Sequence, residues 1–262
     1  MRCGVNCEYR CNISKELYSF LTVRVESSRL PRKCFLEFGS TTLLEHVILR
    51  TQYYGFQPVI STTSEPSDDE IQDFCSSRKI PFFRGSSRNK LMRWRDTAEY
   101  FGIRQFHTID VDDPFFAGEM VMESMALLES KELDVVFPTY DSQKGSAAVG
   151  YSIRATSLNQ LLEETVFETD TEMVDTWFNT SNYLHAETLV SAIQDLPNVR
   201  LTLDYEEDYY MLKQVLSALG PHCSRSEIVN FLKSNPDVVE INAFRTVDWQ
   251  NRQQKQRKVG HV

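Results

Sequence analysis

The chain has 262 residues, and its 28 Lys and Arg against 37 Asp and Glu leave a formal charge of −9. Apolar residues make up 41 % and charged residues 25 %, which excludes collagen-like, mucin-like and low-complexity disordered chains. No apolar run approaches the ~18 residues of a membrane span, and the first residues lack the apolar stretch of a signal peptide, so a soluble, cytoplasmic protein is expected.

The cysteines Cys3, Cys7, Cys11, Cys34, Cys75 and Cys223 read as reduced thiols in that compartment. The first three follow a C-x3-C-x3-C spacing that matches no standard zinc site. In a helix that spacing would place them on one apolar stripe, and this is the reading adopted.

The predicted elements alternate. Tyr18–Arg24 is β-branched and aromatic and reads as a buried strand, followed by a polar, basic loop over 25–33. Thr42–Gln52 has helical apolar spacing, with Ser40 and Thr41 as caps. A strand at Pro58–Thr63, a helix at Ser67–Cys75 opening on a capping-box pattern, and a strand at Ile80–Phe83 follow. Next come a helix over Asn89–Phe101, a strand over Gln105–Asp110, a helix over Gly118–Ser130 and a strand over Leu133–Pro138. Residues 141–150 form a small-residue loop, and 151–200 interrupt the rhythm. A core strand resumes at Asn198–Asp204, before helices at Tyr205–Leu219 and Ser226–Asn235 and a polar, frayed tail over 250–258. This alternation predicts an α/β fold with a mostly parallel sheet covered on both faces, whose ligands lie beyond the C-terminal strand ends.

Two charged loops fall at such ends. Arg24, Arg29, Arg32 and Lys33, with Ser27 and Ser28, place four cations within ten residues of an acidic chain. Guanidinium and ammonium groups there suit a polyphosphate, and the absence of G-x4-G-K-[ST] excludes a P-loop. Asp110-Val-Asp112-Asp113-Pro114 gathers carboxylates beyond another strand, and Asp204 ends a third apolar stretch. Hard carboxylate oxygens beside phosphate suit Mg2+, although Asp112 and Asp113 equally suit capping of the next helix. His46 and His107 sit in apolar surroundings and read as packed core residues, and Cys34 as structural.

Arg24-Val-Glu-Ser-Ser-Arg-Leu-Pro-Arg-Lys33 followed by Leu43-Leu-Glu-His-Val47 resembles the opening motif A-R-x-x-S-x-R-L-P-x-K…P-L-L-x-H-V of the cytidylyltransferases that activate acidic sugars. These are the acylneuraminate and 3-deoxy-manno-octulosonate enzymes, and the chain is most similar to their spore-coat polysaccharide branch. Ile80–Ser86, Asp112–Phe115, Arg200–Asp208 and Ile228–Asn242 resemble later segments in the same order. The chain departs from the pattern at Val23 (for alanine), Val111 (for glycine), residues 142–150, and Glu172-Met-Val174 (for Glu-His-Val).

The resemblance implies a Rossmann-like nucleotidyltransferase fold using CTP and Mg2+. Arg24, Ser27, Arg29 and Lys33 would then hold the triphosphate, with Arg24, Lys33 and Asp112 as catalytic groups. Arg84 and Ser86 would lie near the cytosine or ribose, and Asp112 and Asp204 would bind metal. It also implies an N-terminal extension over 1–16, a catalytic domain over 17–245 with an acceptor and dimer subregion at 141–200, and a tail over 246–262. The reaction would pass CMP from CTP to a small acidic sugar. Trp177, Phe178, Tyr183 and Leu184 are many apolar groups for a segment with little room for a core, so a homodimer through 141–200 is expected. Two other readings stand beside this one. Asp110-x-Asp112 is also the metal motif of many nucleotide-sugar glycosyltransferases, and a non-catalytic nucleotide-binding homologue would keep the fold without turnover.

Overall fold

The computed structural model describes residues 16–163, 165–167, 169–181, 183–193, 196 and 199–259. Cys3, Cys7 and Cys11, and nearly all of the expected N-terminal extension, lie outside the described residues.

The order is β1 (Tyr18–Thr22), a ribbon of β2 (Glu37–Phe38) and β3 (Thr41–Thr42), α1 (Leu43–Tyr53) and β4 (Gln57–Thr63). Then come α2 (Asp69–Arg78), β5 (Phe82–Gly85), α3 (Lys90–Phe101), β6 (Gln105–Asp110), α4 (Gly118–Ser130), β7 (Val135–Phe137) and β8 (Ser152–Arg154). The remainder is α5 (Ser157–Leu162), α6 (Val174–Thr180), β9 (Ala186–Thr188), α7 (Glu206–Leu219), α8 (Arg225–Ser234), α9 (Pro236–Ala243) and α10 (Arg245–Val259).

The main sheet runs β5-β4-β1-β6-β8-β7-β9. Its β5, β4, β1 and β6 are parallel, and β8 enters antiparallel between β6 and β7. The fold is therefore α/β with a mostly parallel mixed sheet. Alternate side chains face opposite layers, as the two-residue strand period requires. Leu21, Ile60 and Val136 join the core beneath α1, α4 and α7, while Phe20, Val59, Phe106 and Ile153 join the core under α3, α5 and α6. Phe20 and Phe106 stack at 3.9 Å between adjacent strands.

Four expectations are corrected. Residues 199–204 form no strand of the sheet: Leu201 N–H donates to the Gly145 carbonyl (2.9 Å) and Leu203 N–H to that of Asp112 (2.7 Å). Val199, Leu201 and Leu203 join the apolar core at alternate positions, so the sequence has a strand's pattern without its ladder. The tail expected to fray is helical as α10, with neither glycine nor proline in it and Trp249 buried against the body. Phe178 and Val174 belong to the core shared with β7 and β8, and Trp177 and Leu184 pack against it, so these apolar groups do have a core. The helix α1 is capped by Thr42, whose hydroxyl accepts from Glu45 N–H, rather than by Ser40 or Thr41. No helix among the described residues is long and apolar enough to cross a membrane.

Candidate active site

In the sheet register Thr22 of β1 stands beside Asp110 of β6, so both charged loops leave the sheet side by side. Asp68 ties the basic loop to β4. Its carboxylate accepts from Val25 N–H (2.7 Å), from Thr62 Oγ1 (3.1 Å) and from both polar groups of Thr63. The loop closes on itself where Arg32 N–H donates to the Val25 carbonyl (3.2 Å). Arg32 adopts a left-handed backbone (φ 58°), which turns the chain into the short 3-10 turn Lys33–Phe35 and sends Lys33 inward.

Lys33 is the centre of the site. Its Nζ donates to Asp112 Oδ2 (2.7 Å), Asp204 Oδ1 (3.1 Å) and the Leu203 carbonyl (2.7 Å). Arg29 forms an ion pair with the same Asp204 oxygen. Two carboxylates from distant segments thus meet two cations of the basic loop. They line a cavity of about 840 Å3 at the C-terminal strand ends, shared with Arg24, Ser27 and Lys90. Arg24 sits 4.0 Å from Glu172 at the cavity edge.

Arg84 and Ser86 are placed elsewhere. Arg84 clamps the β4 end to α2, donating to the Thr63 and Glu65 carbonyls and to Asp69 and Gln72 at 2.7–2.9 Å. Ser86 is buried, accepting from Asn89 N–H and donating to the Phe167 carbonyl. Neither is among the residues lining the cavity.

Other residues of the cavity escape sequence reasoning. Lys90 Nζ, buried over the Trp94 ring, donates to Asp110 Oδ1 (2.9 Å) and lies 4.0 Å from Glu172. A lysine in the first turn of a helix carries no signal of this in the sequence. Glu172 stands out there only as a departure from Glu-His-Val, and Asp68 only as part of an acidic helix start. Arg252 and Gln253 come from the segment expected to fray, and Trp249 directly precedes it.

The electrostatics follow from burial and pairing. Burial opposes the Lys33 ammonium, but Asp112 and Asp204 outweigh it and hold Lys33 above the ordinary lysine range. Burial likewise opposes the Asp204 carboxylate, and Lys33 and Arg29 outweigh it, leaving Asp204 below the usual range. Asp113 goes the other way: burial and the neighbouring Asp112 and Asp110 carboxylates push it well above its ordinary value. One oxygen each of Asp110, Asp112 and Asp113 lies within 4.8 Å of the others. Oxygens crowded so closely, beside Asp110 and Asp113 carboxyls that burial first and neighbouring carboxylates second push up, fit a divalent cation, which supplies positive charge there. The Cys34 thiol beside Lys33 is pushed up to about 12 by burial, as a structural thiol should be.

A model of the cytidylyltransferase family matches residues 21–216, most of the chain and all of this site apart from α10. The chain belongs to the cytidylyltransferase family. It is a CTP-dependent nucleotidyltransferase, which sets aside both the glycosyltransferase and the non-catalytic readings. The chain is similar to the spore coat polysaccharide biosynthesis protein SpsF of Bacillus subtilis, 24 % identical over 85 % of this chain and 96 % of that one. Among solved structures it resembles a cytidylyltransferase from Leptospira borgpetersenii (TM-score 0.76, 23 % identity, 86 % and 96 % coverage). It also resembles CMP:2-keto-3-deoxy-manno-octonic acid synthetase complexed with CTP (TM-score 0.59, 12 % identity, 78 % and 99 % coverage). At these identities the structural likenesses establish the fold: Rossmann-like, as in other nucleotidyltransferases.

Proposed function

We propose that this cytidylyltransferase moves CMP from CTP to a hydroxyl of a small acidic sugar, releasing pyrophosphate, in the assembly of a surface polysaccharide. The observation that carries the reading is the meeting of Arg29 and Lys33 with Asp112 and Asp204 at one cavity. The names of SpsF and of the octonic acid synthetase support the acceptor class and the pathway.

In this reading the acceptor oxygen attacks the α-phosphorus, the bond to the pyrophosphate oxygen breaks, and the acceptor's hydroxyl proton passes to solvent as pyrophosphate leaves. Charge grows on the phosphoryl oxygens, and Arg24 and Lys33 stabilise it. Ser27 and Arg29 bind the remaining phosphates. The stiff loop, with Pro31 fixing its own φ, orients the α-phosphorus for attack. Mg2+ would be held by Asp112 and Asp204, with Asp110 and Asp113 beside them, and would supply positive charge to the phosphate oxygens. Arg84 and Ser86 act at one remove from cytosine or ribose: both brace the segment that ends in cavity-lining Ser87.

The test is pyrophosphate release with CTP against a panel of acidic sugars, beside thermal shifts with each nucleoside triphosphate. A ligand at 100 times its dissociation constant adds about 2.7 kcal/mol. CTP is expected to give the largest shift, and a larger one with UTP or GTP would reject the nucleotide assignment.

The reading includes a cytoplasmic homodimer formed through residues 141–200. Its support is the exposed apolar set Val166, Phe167, Tyr183 and Val190 in that region, together with the adjoining Tyr140. Light scattering at micromolar concentration should give twice the chain mass; a monomer there ends this part of the proposal.

A further inference from the structure

Beyond the family match, the chain ends in α10, whose placement is specific. Arg245 at its start donates to both Glu207 carboxylate oxygens on α7 (3.1 and 2.9 Å). One turn on, the Trp249 ring lies 5.3 Å from the buried Arg200 guanidinium. Gly145 leaves room for this packing: a Cβ there would stand 3.7 Å from the Trp249 ring and 3.2 Å from Arg200. Three residues further, Arg252 Nη2 donates to Ser28 Oγ at 3.0 Å, joining the C-terminal helix to the middle of the basic loop. Trp249, Arg252 and Gln253, at i, i+3 and i+4, share the helix face that lines the cavity.

The charges around this contact are unequal. In the basic loop Arg29 is paired with Asp204, Lys33 with Asp112 and Asp204, and Arg32 with Glu70. Arg252 meets a neutral hydroxyl, and among the described residues no carboxylate forms an ion pair with it. It therefore brings surplus positive charge to the one loop that already turns its cations toward the cavity. Lys33 and its carboxylates are mostly buried, whereas Arg252 is exposed at the rim. A triphosphate running from Lys33 toward Ser28 would bring its outer phosphates to Arg252 at that rim.

We propose that α10 is part of the nucleotide site and that Arg252 is a binding residue for the β- and γ-phosphates of CTP. This rests on the reading of the basic loop as the triphosphate site. Arg252 contacts the part of CTP that becomes pyrophosphate, so it acts on binding more than on the chemical step.

The experiment compares Arg252→Ala, Arg252→Lys and Lys33→Ala in the full chain, measuring CTP KM, kcat, and inhibition by pyrophosphate and by CMP. Loss of one charge-assisted contact should raise the CTP KM of Arg252→Ala about tenfold, with kcat within about twofold. Pyrophosphate should inhibit more weakly by a similar factor, CMP inhibition should stay unchanged, and Arg252→Lys should recover part of the loss. A helix that only props the fold would instead weaken CMP and pyrophosphate together and lower the melting temperature, and that result overturns the proposal. Normal CTP and pyrophosphate affinity in Arg252→Ala, with Lys33→Ala impaired, overturns the role of Arg252 alone. Normal affinity in both variants overturns the triphosphate site itself, and this proposal with it.

Discussion

Lys33 holds two acids that would otherwise face each other, and it pairs with both of them. Lys33→Ala therefore acts twice. Stability should fall by about 1–3 kcal/mol, the loss expected when a buried charged group forfeits its partner. The kcat should fall about a hundredfold, because charge at the α-phosphate grows in the transition state. Arg29→Ala should mainly raise the CTP KM, since the contact proposed for it with the outer phosphates would be the same in ground and transition states. Changes within about 0.5 kcal/mol in both variants would mark the loop as ordinary solvated surface. Asp112→Asn probes the other partner. Its side chain is only part-buried, so the fold should persist while turnover drops a hundredfold or more, on the order of 3 kcal/mol. Full turnover in the Asn variant, or in excess EDTA, would reject the metal assignment.

At the scale of elements, the joint between β6 and β8 shapes the cavity beside these residues. Gly150 N–H donates to His107 Nε2 (3.1 Å), which leaves the proton of His107 on Nδ1, facing Ser152 Oγ at 2.8 Å. Tyr151 and Thr108 exchange two further bonds across the joint, at 2.8 and 2.9 Å. A Cβ on Gly150 would stand 2.1 Å from the Thr108 carbonyl oxygen, so backbone must shift to admit it. Gly150→Ala should destabilise the protein by about 3 kcal/mol, read as a lower urea midpoint; an unchanged midpoint would show that the joint yields freely. That joint also marks where sequence reading stops. β1, β4 and β6 are legible because their short runs of β-branched and aromatic residues are buried on both faces of the sheet. β8 and β9 have three residues each, too few for a period to appear. Residues 199–204 carry the period but spend their amides on loops. In the site, Arg29, Lys33 and Asp112 are legible because charge is dense beyond strand ends, and Asp204 because it closes an alternating apolar stretch. Lys90 and Arg252 are charges on helices and Asp68 belongs to an acidic helix start, and only the tertiary fold aims them.

For the molecule as a whole, acid stability is set in part by two histidines that stay neutral inside it. His46 donates from Nε2 to the Pro114 carbonyl (3.0 Å) and meets the edges of Phe38 and Phe115; burial lowers its pKa to about 4. Burial alone lowers His107 to about 3. In the unfolded chain both titrate near 6.5. Between those values the unfolded state binds protons that the folded state refuses, so stability rises with pH and is lost as pH falls from 6.5 toward 4 and then 3. Each histidine contributes a slope of about 1.4 kcal/mol per pH unit in that window. Asp110 and Asp113 act in the opposite sense, because burial raises them and the folded state keeps protons that the unfolded state releases. Wild-type stability alone therefore does not isolate the histidines, but a difference does. His46→Gln retains an amide donor for the Pro114 carbonyl and removes one titration. Between pH 6.5 and 5 its unfolding free energy from urea titration should fall less steeply than that of the wild type, the difference approaching one histidine slope toward pH 5. Parallel curves for the two proteins would mean that His46 is protonated in the fold as readily as in water, and that the neutral, buried ring is the wrong description of this core.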